Sequence, residues 1–279
     1  MKTISPIINA SELLKIYQNN NFLIIDARSG TNAKSTYETE HLEGALFLNL
    51  ETQLAKIEDN AVIGGRHPLP KITAFLNTIA DCGISTKSHI VIYDDKNGAN
   101  AAARLWWMLK AVGLENVQVL NGGIQSALKI NFPTSSNIEK TTKVAALKIT
   151  NWTLPMATIE EVEENSTKSN YIVIDVRETA RYNGDIEPID LVAGHIPSAI
   201  NIPLAENLDE NGLFLPPSIL KEKYGKLADT TENVIIHCGS GVTACHTLLA
   251  FAYAGLKIPK LYVGSWSEWS RNNKPVATK

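Results

Sequence analysis

Short apolar runs such as Ile90-Val91-Ile92-Tyr93 and Val234-Ile235-Ile236 alternate along this chain with longer stretches of helical character. Runs of that length, rich in β-branched residues and bounded by turn residues, predict buried strands. Further strands are predicted over Leu46–Leu50, Val117–Leu120, Ile200–Pro203 and Lys260–Val263, and helices over Ser11–Asn20, Asn100–Val112, Thr158–Ser166 and Thr243–Ala254. Thr158 and Glu161 have the spacing of a capping box. Strand and helix alternate throughout, which predicts an α/β fold with a mostly parallel sheet and helices on both faces.

The pattern is written twice. Ile24-Ile25-Asp26-Ala27-Arg28 returns as Val173-Ile174-Asp175-Val176-Arg177, and Glu40-His41-Leu42 as Gly194-His195-Ile196. Ile90-Val91-Ile92-Tyr93-Asp94 returns as Val234-Ile235-Ile236-His237-Cys238, Val112-Gly113-Leu114 as Ala254-Gly255-Leu256, and Leu120-Asn121-Gly122-Gly123 as Tyr262-Val263-Gly264-Ser265. Five matches in one order predict two homologous domains, over 1–140 and 150–279. The polar stretch Asn131–Thr153, with Pro133, reads as the linker. Asp26–Arg28, Asp175–Arg177, His41 and His195 recur in both copies. Only one copy has the cysteine, so these four features read as loop anchors and turn-fixing residues.

Composition narrows the function. The 279 residues suit two domains, and 44% hydrophobic with 20% charged residues is a globular balance. No run approaches the ~18 apolar residues of a membrane span, and the first twenty residues lack the continuous apolar core of a secretory signal. A net charge of −3 gives no case for nucleic acid. Three cysteines are too few and odd-numbered for a disulfide scaffold, which predicts a reducing, cytoplasmic home. No His/Cys/Asp/Glu group has metal-ligand spacing, and Gly122-Gly123 is a turn rather than a dinucleotide fingerprint, so neither metal nor cofactor is expected. Trp106, Trp107, Trp266 and Trp269 read as core.

The candidate chemistry lies in His237-Cys238-Gly239-Ser240-Gly241-Val242-Thr243-Ala244, between a strand and a helix. In open α/β sheets ligands bind beyond the carboxyl ends of strands, where Cys238 falls. Backbone N–H groups curled by the glycines, together with the helix N-terminus behind them, favour negative charge on the sulfur as thiolate or persulfide. Cys82 and Cys245 read instead as small buried side chains. Tyrosine-phosphatase chemistry would need an arginine six positions after the cysteine, where Ala244 stands. Sulfur transfer needs no such arginine.

The doubled domain, the Cys238–Ala244 loop and the ending Gly264-Ser265-Trp266-Ser267-Glu268-Trp269 resemble the tandem-domain rhodanese sulfurtransferases. The neutral loop from Gly239 to Ala244 is similar to the 3-mercaptopyruvate sulfurtransferase branch, whereas the thiosulfate branch typically has two basic residues there. The resemblance implies that only the second domain is catalytic, in keeping with Asp94 where the second copy has Cys238, and that the first is a scaffold supplying groups to the site.

It further implies Cys238 as nucleophile, Ser240 and His67 as a proton relay, and Glu51, in a position usually held by aspartate, as the carboxylate orienting His67. Arg181 matches the first substrate arginine, read against a surface pairing with Asp185 or Glu187. The second falls on Ile189 of Glu187-Pro188-Ile189-Asp190, leaving Arg66 beside His67 as a replacement. The N–H groups of Gly239, Gly241, Val242 and Thr243 complete the substrate site. The expected reaction moves sulfur from 3-mercaptopyruvate through a Cys238 persulfide to a thiol or cyanide, with a thioredoxin-like protein as a candidate acceptor. Thiosulfate as donor, or persulfide delivery to a protein partner, are the alternatives.

Overall fold

The structure, a computed structural model, describes residues 4–19, 21–230 and 233–279. These residues divide into two compact units: those within 1–56, 70–153 and 211–213 form the first, and those within 57–69, 154–210 and 214–279 the second.

In the first unit the elements run β1 (Ile7–Ile8), α1 (Ala10–Ile16), β2 (Phe22–Asp26), α2 (Ala33–Thr39), β3 (His41–Leu42), β4 (Ala45–Phe47), α3 (Ile72–Asp81), β5 (His89–Tyr93), α4 (Ala101–Ala111), β6 (Val117–Leu120), α5 (Gly123–Leu128) and β7 (Thr134–Ser135). A π-helical turn, Leu50–Leu54, occupies the end of the strand expected over Leu46–Leu50. Asn49 stops that strand, because its side chain accepts the Thr52 N–H at 3.0 Å and starts the turn. The helix expected over Ser11–Asn20 ends at Ile16, and Asn20 lies outside the described residues. The sheet has the order β1-β6-β5-β2-β4, all parallel. Its strands are buried, which is why they read as unbroken apolar runs.

The second unit runs β8 (Met156–Ala157), α6 (Ile159–Asn165), β9 (Ile172–Asp175), α7 (Thr179–Asn183), β10 (Ile200–Asn201), a 3-10 turn (Leu204–Asn207), α8 (Pro217–Thr230), β11 (Val234–His237), α9 (Ala244–Tyr253), β12 (Lys260–Tyr262) and α10 (Ser265–Trp269). Its sheet order, β8-β12-β11-β9-β10, again all parallel, matches the first element for element. Asp26 pairs with Tyr93 in one sheet and Asp175 with His237 in the other, the register the sequence repeat requires. Thr158 caps α6 by accepting the Glu161 N–H at 3.2 Å, but the Glu161 carboxylate is taken by Lys260 instead of closing a reciprocal box.

The repeated side chains do repeated work. Arg28 donates to Asp26 at 2.7 Å and to the Glu40 carbonyl at 2.6 Å, and Arg177 donates to Asp175 and to the Gly194 carbonyl, both at 2.6 Å. The His41 and His195 rings stack on Tyr37 and Tyr182, and each Nδ1 lies 2.7 Å from that tyrosine's carbonyl oxygen. Trp106, Trp107, Trp266 and Trp269 are fully buried. The stretch read as a linker is docked on the first unit. Val144 N–H donates to the Ala80 carbonyl, Thr153 N–H donates to the Ala111 carbonyl, and Trp152 packs on Phe75 and Trp107.

Candidate active site

Cys238 stands at the carboxyl end of β11, the central strand of its sheet, and is 1% exposed. Its backbone is fastened on both sides. Its N–H donates to Ser265 Oγ at 3.2 Å, and its carbonyl accepts the Trp266 N–H at 3.0 Å. The next carbonyl, of Gly239, accepts the Ser267 N–H at 2.9 Å. Ser265 Oγ also lies 4.0 Å from Cys238 Sγ. Ser265 adopts a left-handed backbone (φ +53°), as does Gly123 at the matching position of the first copy (φ +59°). Nothing in the sequence alone gives Ser265 a role. The signal was a glycine position of the repeat replaced by serine, which only contact with Cys238 makes meaningful.

The first copy shows what a loop of this type does to the side chain at the strand end. The fully buried Asp94 carboxylate accepts N–H bonds from Lys96 (2.9 Å), Gly98 (2.8 Å), Asn100 (3.0 Å) and Ala102 (3.1 Å). Burial pushes its carboxyl up, against the pull of those four donors. Backbone amides thus converge on an anion supplied by the protein itself.

In the second unit Ser240 is buried, and its Oγ lies 2.8 Å from Nδ1 of the half-buried His67. His67 comes from the first half of the sequence, yet its segment, 57–69, packs within the second unit. Three bonds hold that segment near α10: Gly64 N–H to Glu268 Oε1 at 2.6 Å, Arg66 N–H to Ser267 Oγ at 3.0 Å, and Asn272 Nδ2 to the Val62 carbonyl at 2.7 Å. Glu51 lies half-buried in the π-helical turn of the first unit.

Two arginines approach the loop at Gly239. A methyl group there would lie 3.0 Å from Arg66 Nη2 and 3.7 Å from both terminal nitrogens of Arg181. Arg181, on α7, pairs with Glu187 at 2.6 Å and with Asp190 at 3.3 Å, so one of the surface pairings weighed for it exists beside the loop. Burial pushes the Glu187 carboxyl up, but the Arg181 hydrogen bonds and the N–H groups of Asp190 and Ile189 bring it below its ordinary value. Gly241 and Val242 are buried in the loop, and Thr243 stands just before α9 without a side-chain capping bond.

Beneath the cysteine, burial pushes the His237 imidazole down, while its Nδ1 lies 3.1 Å from the Cys238 carbonyl oxygen. Burial would push Asp175 up, but the neighbouring His237 ring and the Arg177 guanidinium hold it below its ordinary value. Cys245 is buried, with Sγ 3.5 Å from the Gly241 carbonyl, and burial lifts the Cys82 thiol to about 11. All three cysteines are free. Among the described residues no cluster of three metal-ligating side chains occurs, and no helix is long and apolar enough to cross a membrane.

Two matched parallel sheets, each with a loop behind its central strand that holds a buried side chain, Asp94 in one and Cys238 in the other, define a tandem α/β protein. The family model for the rhodanese-like domain matches it twice, over residues 9–129 and 158–272, and the chain belongs to the rhodanese family of sulfurtransferases. It is 34% identical to a Pseudomonas aeruginosa protein named "Probable 3-mercaptopyruvate sulfurtransferase", over 98% of both chains. It is 33% identical to the thiosulfate sulfurtransferase of Bos taurus, over 87% of this chain and 82% of that one. The crystal structure of SseA from Escherichia coli, described as a 3-mercaptopyruvate sulfotransferase, superposes with a TM-score of 0.79 at 28% identity, covering 95% of this chain and all of that one. The chain is thus an enzyme of the sulfurtransferase class.

Proposed function

We propose that the donor is 3-mercaptopyruvate and that sulfur passes through a persulfide on Cys238. The Cys238 thiolate attacks the donor's thiol sulfur. An S–S bond forms, the C–S bond breaks, and its electron pair leaves on carbon as the enolate of pyruvate. Ser240 delivers a proton to that carbon and recovers one through His67. A thiol acceptor then takes the terminal sulfur and returns Cys238 as a thiol. A thioredoxin-like protein suits this last step, and a reducing cytoplasmic setting suits a thiol that must be regenerated.

The observation that carries this reading is the 2.8 Å contact between His67 and Ser240, two residues from Cys238. A relay serves an enolate that must be protonated, whereas sulfite leaving thiosulfate needs no proton. Charge supports the same donor. Arg66, Arg177, Arg181 and Arg271 face Asp175, Glu187 and Asp190, one positive charge in excess. That balance fits a monocarboxylate better than a dianion. Nη1 of Arg66 and of Arg181, without hydrogen-bond partners among the described residues, are the donors offered to the substrate carboxylate. The loop N–H groups of Gly239, Gly241, Val242 and Thr243 support the negative sulfur. The role assigned to Glu51 rests on the family resemblance and is tested by Glu51→Gln.

The test is sulfur release and pyruvate formation from 3-mercaptopyruvate, run beside thiosulfate turnover. The expected result is higher kcat/KM with mercaptopyruvate and none in Cys238→Ser, with Cys245→Ser active. Activity retained in Cys238→Ser refutes the scheme. A preference for thiosulfate refutes the donor, and a Cys238 persulfide delivered to one protein without small-molecule turnover indicates a carrier.

A further inference from the structure

We propose that Asp190 is a positioning residue that holds Arg66 beside Gly239, so that Arg66 replaces the substrate arginine whose place Ile189 occupies. The inference rests on the reading that the donor's carboxylate binds at this loop. The Asp190 side chain is 0% exposed and collects three guanidiniums from three separate segments. Oδ1 accepts from Arg66 Nε at 3.1 Å and Arg271 Nη1 at 2.9 Å. Oδ2 accepts from Arg66 Nη2 at 3.4 Å and Arg181 Nη2 at 3.3 Å. The turn that presents Asp190 is wrapped on Glu187, whose Oε1 accepts the N–H groups of Ile189 at 3.1 Å and Asp190 at 3.0 Å. Ile189 itself is 52% exposed, so no core packing demands an apolar residue there.

The three arginines depend on Asp190 unequally. Arg181 keeps two bonds to Glu187 without it, and Arg271 keeps the Ser267 carbonyl at 2.9 Å. The guanidinium of Arg66 has Asp190 as its one protein partner among the described residues. Removing the charge of Asp190 therefore frees Arg66 first, and repulsion from the other guanidiniums drives it away. The sign of the effect separates positioning from simple electrostatics. Losing a carboxylate from a fixed array would strengthen anion binding, whereas losing Arg66 from the loop weakens it.

The experiment compares Asp190→Asn, Arg66→Ala and the double variant on two readouts, with thermal unfolding as a folding control. The first is steady-state turnover of 3-mercaptopyruvate. Arg66→Ala and Asp190→Asn each raise KM about tenfold or more, the scale of a charge-assisted hydrogen bond, with kcat within about threefold. The double variant is no worse than Arg66→Ala, and Ile189→Arg recovers most of the loss in the Arg66→Ala background. The second readout is the ratio of Cys238 alkylation rates with iodoacetate and iodoacetamide, followed by mass spectrometry, which does not depend on the donor. The ratio falls several-fold in both single variants. A ratio that rises in Asp190→Asn, or a double variant as poor as the product of the singles, overturns the proposal. Absence of mercaptopyruvate turnover in the wild type refutes the donor reading alone and leaves the alkylation ratio to decide on Asp190.

Discussion

Gly241→Ala is the sharpest local perturbation of the cysteine loop, and the structure supplies its own control. Gly241 has φ +72°, and an alanine methyl there would lie 2.2 Å from the Val263 carbonyl oxygen and 2.9 Å from its carbon, at the end of β12. Gly255, in the turn after α9, has φ +71° and open space where the methyl would go. Both substitutions force an L-residue into the left-handed region, at about 1–2 kcal/mol. Only Gly241→Ala adds an overpacking cost, about 1–3 kcal/mol more, against backbone rather than a side chain that could swing aside. The expected losses are therefore about 2–5 kcal/mol for Gly241→Ala and 1–2 kcal/mol for Gly255→Ala. Urea unfolding followed by tryptophan fluorescence measures both, since Trp266 and Trp269 lie in the same core as Tyr262. Sulfur transfer should fail in Gly241→Ala even under conditions where the protein stays folded, because the loop can relieve the contact only by moving away from β12. Equal losses in the two variants, or an active Gly241→Ala enzyme, would refute the reasoning.

Ser240→Ala and His67→Asn should each lower kcat with mercaptopyruvate by about 10²-fold or more, non-additively, while thiosulfate turnover falls far less. Equal loss with both donors would argue against a proton relay. Asp94→Asn replaces an acceptor of four backbone N–H bonds with an amide that can accept on one side only, so the first unit should lose about 2–4 kcal/mol in urea unfolding. His246 is buried, and burial lowers it to about 3. Between pH about 6.5 and 3 the unfolded chain binds a proton there that the native state does not. Stability should therefore fall on acidification by about 1.4 kcal/mol per pH unit from this group, and His246→Gln should flatten the slope between pH 6 and 5.

The repeat was legible because each copy must bury the same sheet, and short apolar runs survive as strands after other positions diverge. It placed Asp94 and Cys238 at equivalent strand ends before any contact was known. It also separated structural from chemical side chains: Asp26, Arg28, His41 and their partners anchor loops in both units, with or without a thiol. The edge strands β1 and β8, two residues each, went unseen, since two residues carry no periodicity. The Glu161 cap was misjudged because Lys260, 99 residues away, competes for its carboxylate.

The amino-acid sequence alone determined two α/β domains of one ancestry, a single cysteine at a strand end, and a neutral loop around it, because all three follow from local periodicity and local spacing. Tertiary structure decided which charges stand around that loop. Nothing near position 66 in the chain announces that its arginine meets Asp190, nor that Arg271 joins them. Such pairs are set by where segment 57–69 packs and by the cost of burying a carboxylate without partners, which the fold meets with whichever guanidiniums it brings within reach.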